Sequence, residues 1–372
     1  MNKIVNNKIR FGSYDESDVI FLLKDLSGCA LEGSIENRER KIQLGQHYSE
    51  TLPIEYQPPT NYLQLFKDSL KEFKQKVALS IGTVAEQIYQ SKGNNLVLVS
   101  LARAGTPIGI LIKRYLSNCY HIDLPHYSIS IIRDRGIDEN AIHHILKTHP
   151  GKEIQFIDGW TGKGAISLEL TKACKAFYEK YGIVLDDTLA VLADPGHCTS
   201  LYGTREDFLI PSACLNSTVS GLVSRTVLNA ELIGPHDFHG AKYYKELIEA
   251  DVSNEYLDVI TGEFFAIRDE ACKEAEYLLK NHKIASFQGM KEVQKIAAEF
   301  DIDCTHYVKP GVGETTRVLL RRVPWKILMK DPKSRYVEHI IMLARERNVE
   351  VVHYPNMSYT CCGLIKKVGN DT

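Results

Sequence analysis

Hydrophobic and polar positions change rhythm along this chain. Between residues 61 and 92, apolar side chains recur three and four apart (Leu63, Phe66, Leu70, Phe73, Val77, Ile81, Val84, Ile88). That is the period of one long amphipathic helix, or two. Gly93-Asn94-Asn95 ends it. From there to about residue 195, short unbroken apolar runs alternate with helical patterns. LVLVSLARAG, HYSISII, EIQFID and DTLAVLADP predict strands; TPIGILIKRYLSN, DENAIHHILKTH and GAISLELTKACKAFYEKY predict helices. This alternation predicts an α/β fold, a doubly wound parallel sheet. Residues 1–60 are irregular, and residues 211–260, which open on a Ser-, Thr- and Asn-rich run, show no clear period. Helical patterns return to about residue 300, and a last small α/β unit begins near Cys304.

Ligands of doubly wound sheets bind at the carboxyl ends of the strands. Here those ends read Arg103-Ala104-Gly105, Arg133-Asp134-Arg135, Asp158 to Gly162 and Asp194-Pro195-Gly196, which predicts one polar crevice. The stretch after Asp158 is the most distinctive. Gly159, Gly162 and Gly164 surround Thr161 and Lys163 just before a helix, a composition that lets backbone N–H groups approach a phosphate. It is not a P-loop, since Asp158 stands where the first glycine belongs and Gly164 where Ser or Thr belongs. Nor does it have the spacing of a dinucleotide fingerprint.

Composition adds limits. The 372 residues are 44% hydrophobic and 25% charged with a net charge of −2, which suits two or three ordinary globular domains and no general affinity for polyanions. From Thr305 to Thr372, however, twelve Lys and Arg face six Asp and Glu, which predicts an anionic partner for the last unit. No signal peptide or bilayer-spanning run is visible. Nine cysteines lack any CxxC spacing, so a reduced, cytoplasmic protein is expected. A thiol protease would need a cysteine beside a histidine base. Cys198, Cys29 and Cys214 are the candidates, with His236 and His239 of GPHDFHG as approaching bases. His197 is disfavoured for Cys198, because neighbours on an extended chain point apart. The GPHDFHG stretch reads first as a polar turn. Cys361-Cys362 reads as strand and turn packing.

FIDGWTGKGAIS resembles the phosphate loop of phosphoribosyltransferases, and SLARAGTPIG the Arg-Ala-Gly turn of the uracil-type members. The resemblance implies that Asp158 meets the ribose hydroxyls and Mg²⁺. Gly159, Trp160, Thr161, Gly162, Lys163, Gly164 and Asp194 would line the substrate, and Arg103, Ala104 and Gly105 would hold pyrophosphate. Arg133, Asp134 and Arg135 would form the catalytic loop. The chain departs from that family in having Gly159 where a second acid is usual. PGVGETTRVLLRR resembles the L7Ae/Pelota RNA-binding domains. That implies RNA contacts from Gly311, Gly313, Glu314, Thr315, Arg317 and Arg321, with Gly313 in place of that family's Asn.

Taken in order, FGSYDESDVIFLL, ARAG, DGWTGKG and the GETTRVLLRR unit resemble one bacterial family, the phosphoribosyltransferase-like proteins with a C-terminal Pelota-type domain found with tellurite-resistance stress operons. The implied architecture is a type I phosphoribosyltransferase-like domain over 1–300, with 1–60 and 197–260 contributing a hood, and a Pelota-like domain over 301–372. The implied activity is an Mg²⁺-dependent transfer between phosphoribosyl pyrophosphate and a base-like acceptor, or its reverse, in making a nucleoside-like metabolite. RNA would be a further partner, no membrane is involved, and there is room for a homodimer. Two alternatives stand: a ligand-sensing RNA-binding protein on an inactive transferase fold, and a cysteine protease, since members also carry the label cysteine protease StiP.

Overall fold

The computed structural model describes residues 11–34, 45–281 and 284–365; parts of the expected hood, at 1–10 and 35–44, lie outside them. A six-stranded sheet organises the N-terminal unit. Its strands are β1 (Ile20–Phe21), β2 (Leu96–Leu101), β3 (His126–Ile129), β4 (Glu153–Trp160), β5 (Ala190–Ala193) and β6 (Leu201–Thr204), in the order β1-β3-β2-β4-β5-β6. Every neighbouring pair is parallel. All six residues of β2 are buried, as a central parallel strand covered on both faces requires. Leu96 and Leu98 join one apolar cluster, and Val97, Val99 and Leu101 the other.

The first face is covered by α1 (Thr60–Lys92) and α2 (Thr106–Tyr120), with α5 (Ser253–Thr261) and α6 (Phe264–Lys280) packed on them. The 61–92 pattern is thus one 33-residue helix. The other face carries α3 (Glu139–Thr148) and α4 (Ala165–Tyr181). The expected strand HYSISII divides. β3 stops at Ile129, and Ile131–Ile132 turns back on Gly136–Ile137 as a hairpin. Arg133-Asp134-Arg135 is therefore a hairpin tip rather than a strand end. Residues 211–250 form short 3₁₀ turns and two-residue ribbons, which explains their lack of periodicity.

The C-terminal unit comprises α7 (Gln288–Glu299), β7 (Val308–Pro310), α8 (Val312–Arg321), β8 (Pro324–Met329), α9 (Glu338–Glu346), β9 (Glu350–His353) and β10 (Cys361–Ile365). Its sheet runs β7-β10-β8-β9, parallel only between β8 and β9. Val312, Leu319 and Ile327 share a cluster with Phe73 and Phe208, so the two units bury one continuous core. No helix among the described residues is long and apolar enough to cross a membrane.

Candidate functional site: a crevice between the two units

The chain runs from β2 outward to β3, then returns to place β4 on the other side of β2. The carboxyl ends of β2 and β4 therefore diverge at the topological switch point, where such sheets bind ligands. A cavity of about 260 Å³ lies there. Arg103 and Ala104 after β2, and Asp158, Gly159 and Trp160 of β4, form its floor. Ser212, Asn216 and Ser220 form a side wall, and Gly313, Glu314 and Arg317 of α8 the roof. Gly105 is fixed by closeness: a Cβ there would stand 2.5 Å from the carbonyl oxygen of Ile157. Among the described residues, the Asp158 carboxylate accepts a hydrogen bond from the N–H of Gly159 alone, at 2.7 Å. Burial pushes this carboxyl up to about 7. Arg103 donates to the carbonyl of Val223 at 3.1 Å, and Arg317 to that of Ala213 at 3.1 Å. The crevice thus presents two carboxyls, Asp158 and Glu314, and two guanidiniums, with a polar side wall among otherwise apolar residues.

The glycine loop beside it is closed rather than open to a phosphate. Thr161, Gly162 and Gly164 are buried. The carbonyl of Gly162 accepts from the Tyr359 hydroxyl at 2.8 Å. A Cβ on Gly164 would meet the Phe287 ring at 2.7 Å, and one on Gly162 the Trp160 ring at 2.2 Å. Lys163 turns to the C-terminal unit, donating to the carbonyls of Thr305 and Val308 at 2.9 Å each. Burial and the neighbouring Lys309 bring its ammonium down to about 8. Asp194, expected to line substrate, is fully buried; it accepts the N–H groups of Cys198 and Thr199 and pairs with Arg205. Arg133, Asp134 and Arg135 do not line the cavity; Arg133 instead faces His306 at 3.4 Å.

The residues expected at RNA are divided in the same way. Gly311 packs on Trp160, and a Cβ there would come within 2.5 Å of the ring. Thr315 is fully buried, and Gly313, Glu314 and Arg317 face the cavity. The side chain of Arg321 lies outside the described residues. Asp207, Phe287 and Tyr359, which clamp the units together, carried no signal in the sequence, because their partners are over seventy residues away along the chain.

Among the thiols, Cys198 is buried at the carboxyl end of β5 and donates to the carbonyl of Gly162 at 3.4 Å. Burial pushes it up to about 12; Thr161 and Arg205 lower it and Asp194 raises it. Cys214 is buried against Ser69, and Cys29 is partly exposed in the hood. His239 bonds the Ser130 hydroxyl at 2.9 Å and donates its backbone N–H to Asp138 at 2.6 Å, both more than a hundred positions away along the chain. No group of three or more His, Cys, Asp or Glu among the described residues is disposed to hold a metal ion, and Asp158, the expected Mg²⁺ contact, has no second carboxylate among the residues lining the cavity with it except Glu314 of the roof.

Fold and site together define a doubly wound α/β protein whose switch-point crevice is roofed by an appended α/β module. Residues 12–261 match the family described as tellurite-like stress resistance cysteine protease StiP, and residues 287–367 match the Pelota RNA-binding domain. The chain is similar to the cysteine protease StiP of Acinetobacter baylyi, 33% identical over 370 residues that cover 96% of this chain and 94% of that protein. The chain belongs to the StiP family. These matches overturn the expectation of an Mg²⁺-dependent phosphoribosyltransferase, because both the family and the relative are named as cysteine proteases.

Proposed function

We propose that this protein is a cysteine peptidase serving resistance to tellurite-like stress, with Cys198 as nucleophile, held latent in the arrangement described. The observation that carries the reading is the likeness to the cysteine protease StiP over nearly the whole of both chains. Cys198 falls within the matched 12–261 span and stands at the ligand-binding end of the sheet. Its thiol would attack a peptide carbonyl, pass its proton to a base and form a thioester. The leaving amine takes that proton, and water then frees the acid. The imidazole adjacent in sequence is His197. Its backbone is left-handed at φ 56° rather than extended, which lifts the objection from alternation along an extended chain. Its carbonyl is tied to the N–H groups of Ser286 and Phe287. Releasing that seam is what would let the base reach the sulfur and let the thiol ionise.

The test is cleavage of casein by the full chain, by Cys198→Ser and by Phe287→Ala. Faster cleavage by Phe287→Ala, abolished when Cys198→Ser is added, supports the reading. Cleavage undiminished in Cys198→Ser, or absent from both wild type and Phe287→Ala, sinks it.

The C-terminal unit is read as an RNA-binding module, supported by its match to the Pelota domain and its excess of basic residues. The scaffold, though not the transferase chemistry, is read as phosphoribosyltransferase-like, supported by the strand order and the irregular hood at 211–250.

A further inference from the structure

We infer that RNA crosses the seam between the two units, its phosphates held by a cationic face that the hairpin tip of the N-terminal unit and the turn before β7 build together. The inference rests on the RNA-binding reading of the C-terminal unit and extends the footprint onto the other unit. Arg133 at the tip lies 3.4 Å from the exposed His306. Lys163 and Lys309 stand in the field of the same guanidinium, and Arg322 in that of Lys309. With Arg135, that is five Lys and Arg side chains and one histidine; Lys163, bonded to the carbonyls of Thr305 and Val308, adds charge to the face rather than a free donor. The carboxylates beside them are Glu50, Asp134, Glu314 and the buried Glu169, which accepts the N–H groups of Asp134 and Gly136 at 2.9 and 3.0 Å. Cations outnumber anions, and burial with mutual repulsion lowers both Lys163 and Lys309. An incoming polyanion would relieve that repulsion.

Two half-buried aromatic rings, tilted 42° to each other, adjoin the charges. The Tyr48 ring has Arg133 at 5.4 Å and Arg225 at 5.3 Å, and the His47 ring at 4.6 Å. Stacking surfaces beside a basic track suit single-stranded nucleic acid rather than a small anion. The hairpin tip is also outside the cavity, where a small ligand would sit. Since Gly313 and Arg317 of α8 face inward, RNA reaching this unit meets the edge bearing His306 and Lys309.

The test is fluorescence anisotropy of a labelled single-stranded RNA 12-mer titrated with the full chain at several salt concentrations. Wild type, Arg133→Gln/Arg135→Gln and Lys147→Gln, an exposed lysine elsewhere, are compared. The double variant is expected to bind about tenfold more weakly, with a log–log salt slope shallower by roughly 1.4, about 0.7 for each lost phosphate contact; Lys147→Gln should match wild type. Wild-type affinity in the double variant would confine RNA to the C-terminal unit and overturn the inference. No binding by wild type would overturn the RNA reading itself. Equal affinity for a 4-mer and a 12-mer would mark a small-anion patch and likewise overturn it. Should the double variant melt early, Arg135→Gln alone, with a side chain 45% exposed, carries the same comparison.

Discussion

The carboxylate of Asp207 accepts the backbone N–H of Val312 at 2.8 Å, so a residue of the N-terminal unit caps the first turn of α8 in the other. Its second oxygen accepts the N–H of Thr360 at 2.8 Å, and the Thr360 hydroxyl donates back to the Asp207 carbonyl at 2.7 Å. Three hydrogen bonds thus converge on one buried residue and join two elements of the roof to the sheet beneath. Asp207→Ala leaves two N–H groups at the seam without this acceptor. The expected loss is about 2–6 kcal/mol, at roughly 1–3 kcal/mol for each unsatisfied donor. Urea unfolding of the full chain measures it; Asp207→Asn, which keeps one oxygen acceptor, should lose less.

Asp158 gives a pH signature. Its folded-state carboxyl is pushed up to about 7 by burial, from the ordinary 3.8. The folded protein therefore holds this proton more tightly than the unfolded chain, so stability falls as pH rises from about 4 through 7. Asp158→Asn removes the titration. The variant should match wild type near pH 4, gain relative stability up to pH 7, and hold a constant advantage above it. Urea midpoints across that range check it, and an advantage that shrinks with rising pH would contradict the burial argument.

Thiol chemistry separates the cysteines. At pH 8 a thiol pushed up to about 12 is thiolate in only about one molecule in ten thousand. Cys198 is also buried beside the Gly162 carbonyl, whereas Cys29 and Cys304 are partly exposed. Iodoacetamide labelling read by peptide mass spectrometry should therefore modify Cys29 and Cys304 at least tenfold faster, and Phe287→Ala should narrow the gap.

The seam tolerates no added atoms at Gly196, where a Cβ would sit 1.7 Å from the carbonyl oxygen of Gly162. Both sides of that contact are backbone, so neither yields by a rotamer change. Gly196→Ala is expected to cost about 3 kcal/mol. Gly28, with nothing within 4 Å of its Cβ position, is the matching control, and Gly28→Ala should leave the thermal midpoint unchanged within about 1 °C.

The scaffold was legible because a central parallel strand such as Leu96–Leu101 is apolar throughout and α1 repeats its buried face for 33 residues. Its strand ends also led to the switch point, and Arg103, Asp158 and Trp160 do meet in one cavity. What local pattern could not convey is which loops are covered. Lys163 looks like a phosphate ligand in its own neighbourhood, yet its acceptors are Thr305 and Val308, more than 140 positions on. Arg317 looks like a surface cation on a basic helix until α8 is laid across the crevice. Arg133 looks like a strand end because nothing before it announces that Ile131–Ile132 will turn back on Gly136–Ile137.

A shared core also bears on how the chain is made. Val312, Leu319 and Ile327 complete the cluster around Phe73 and Phe208, yet they are synthesised more than a hundred residues after the latter. With translation at roughly 5–20 residues per second, residues 288–365 take about 4–16 s to emerge. Throughout that interval the nascent N-terminal unit presents an uncovered apolar wall and an unroofed crevice to its surroundings. Arrival of residues 288–365 is then what covers the crevice and the buried Cys198 beside it.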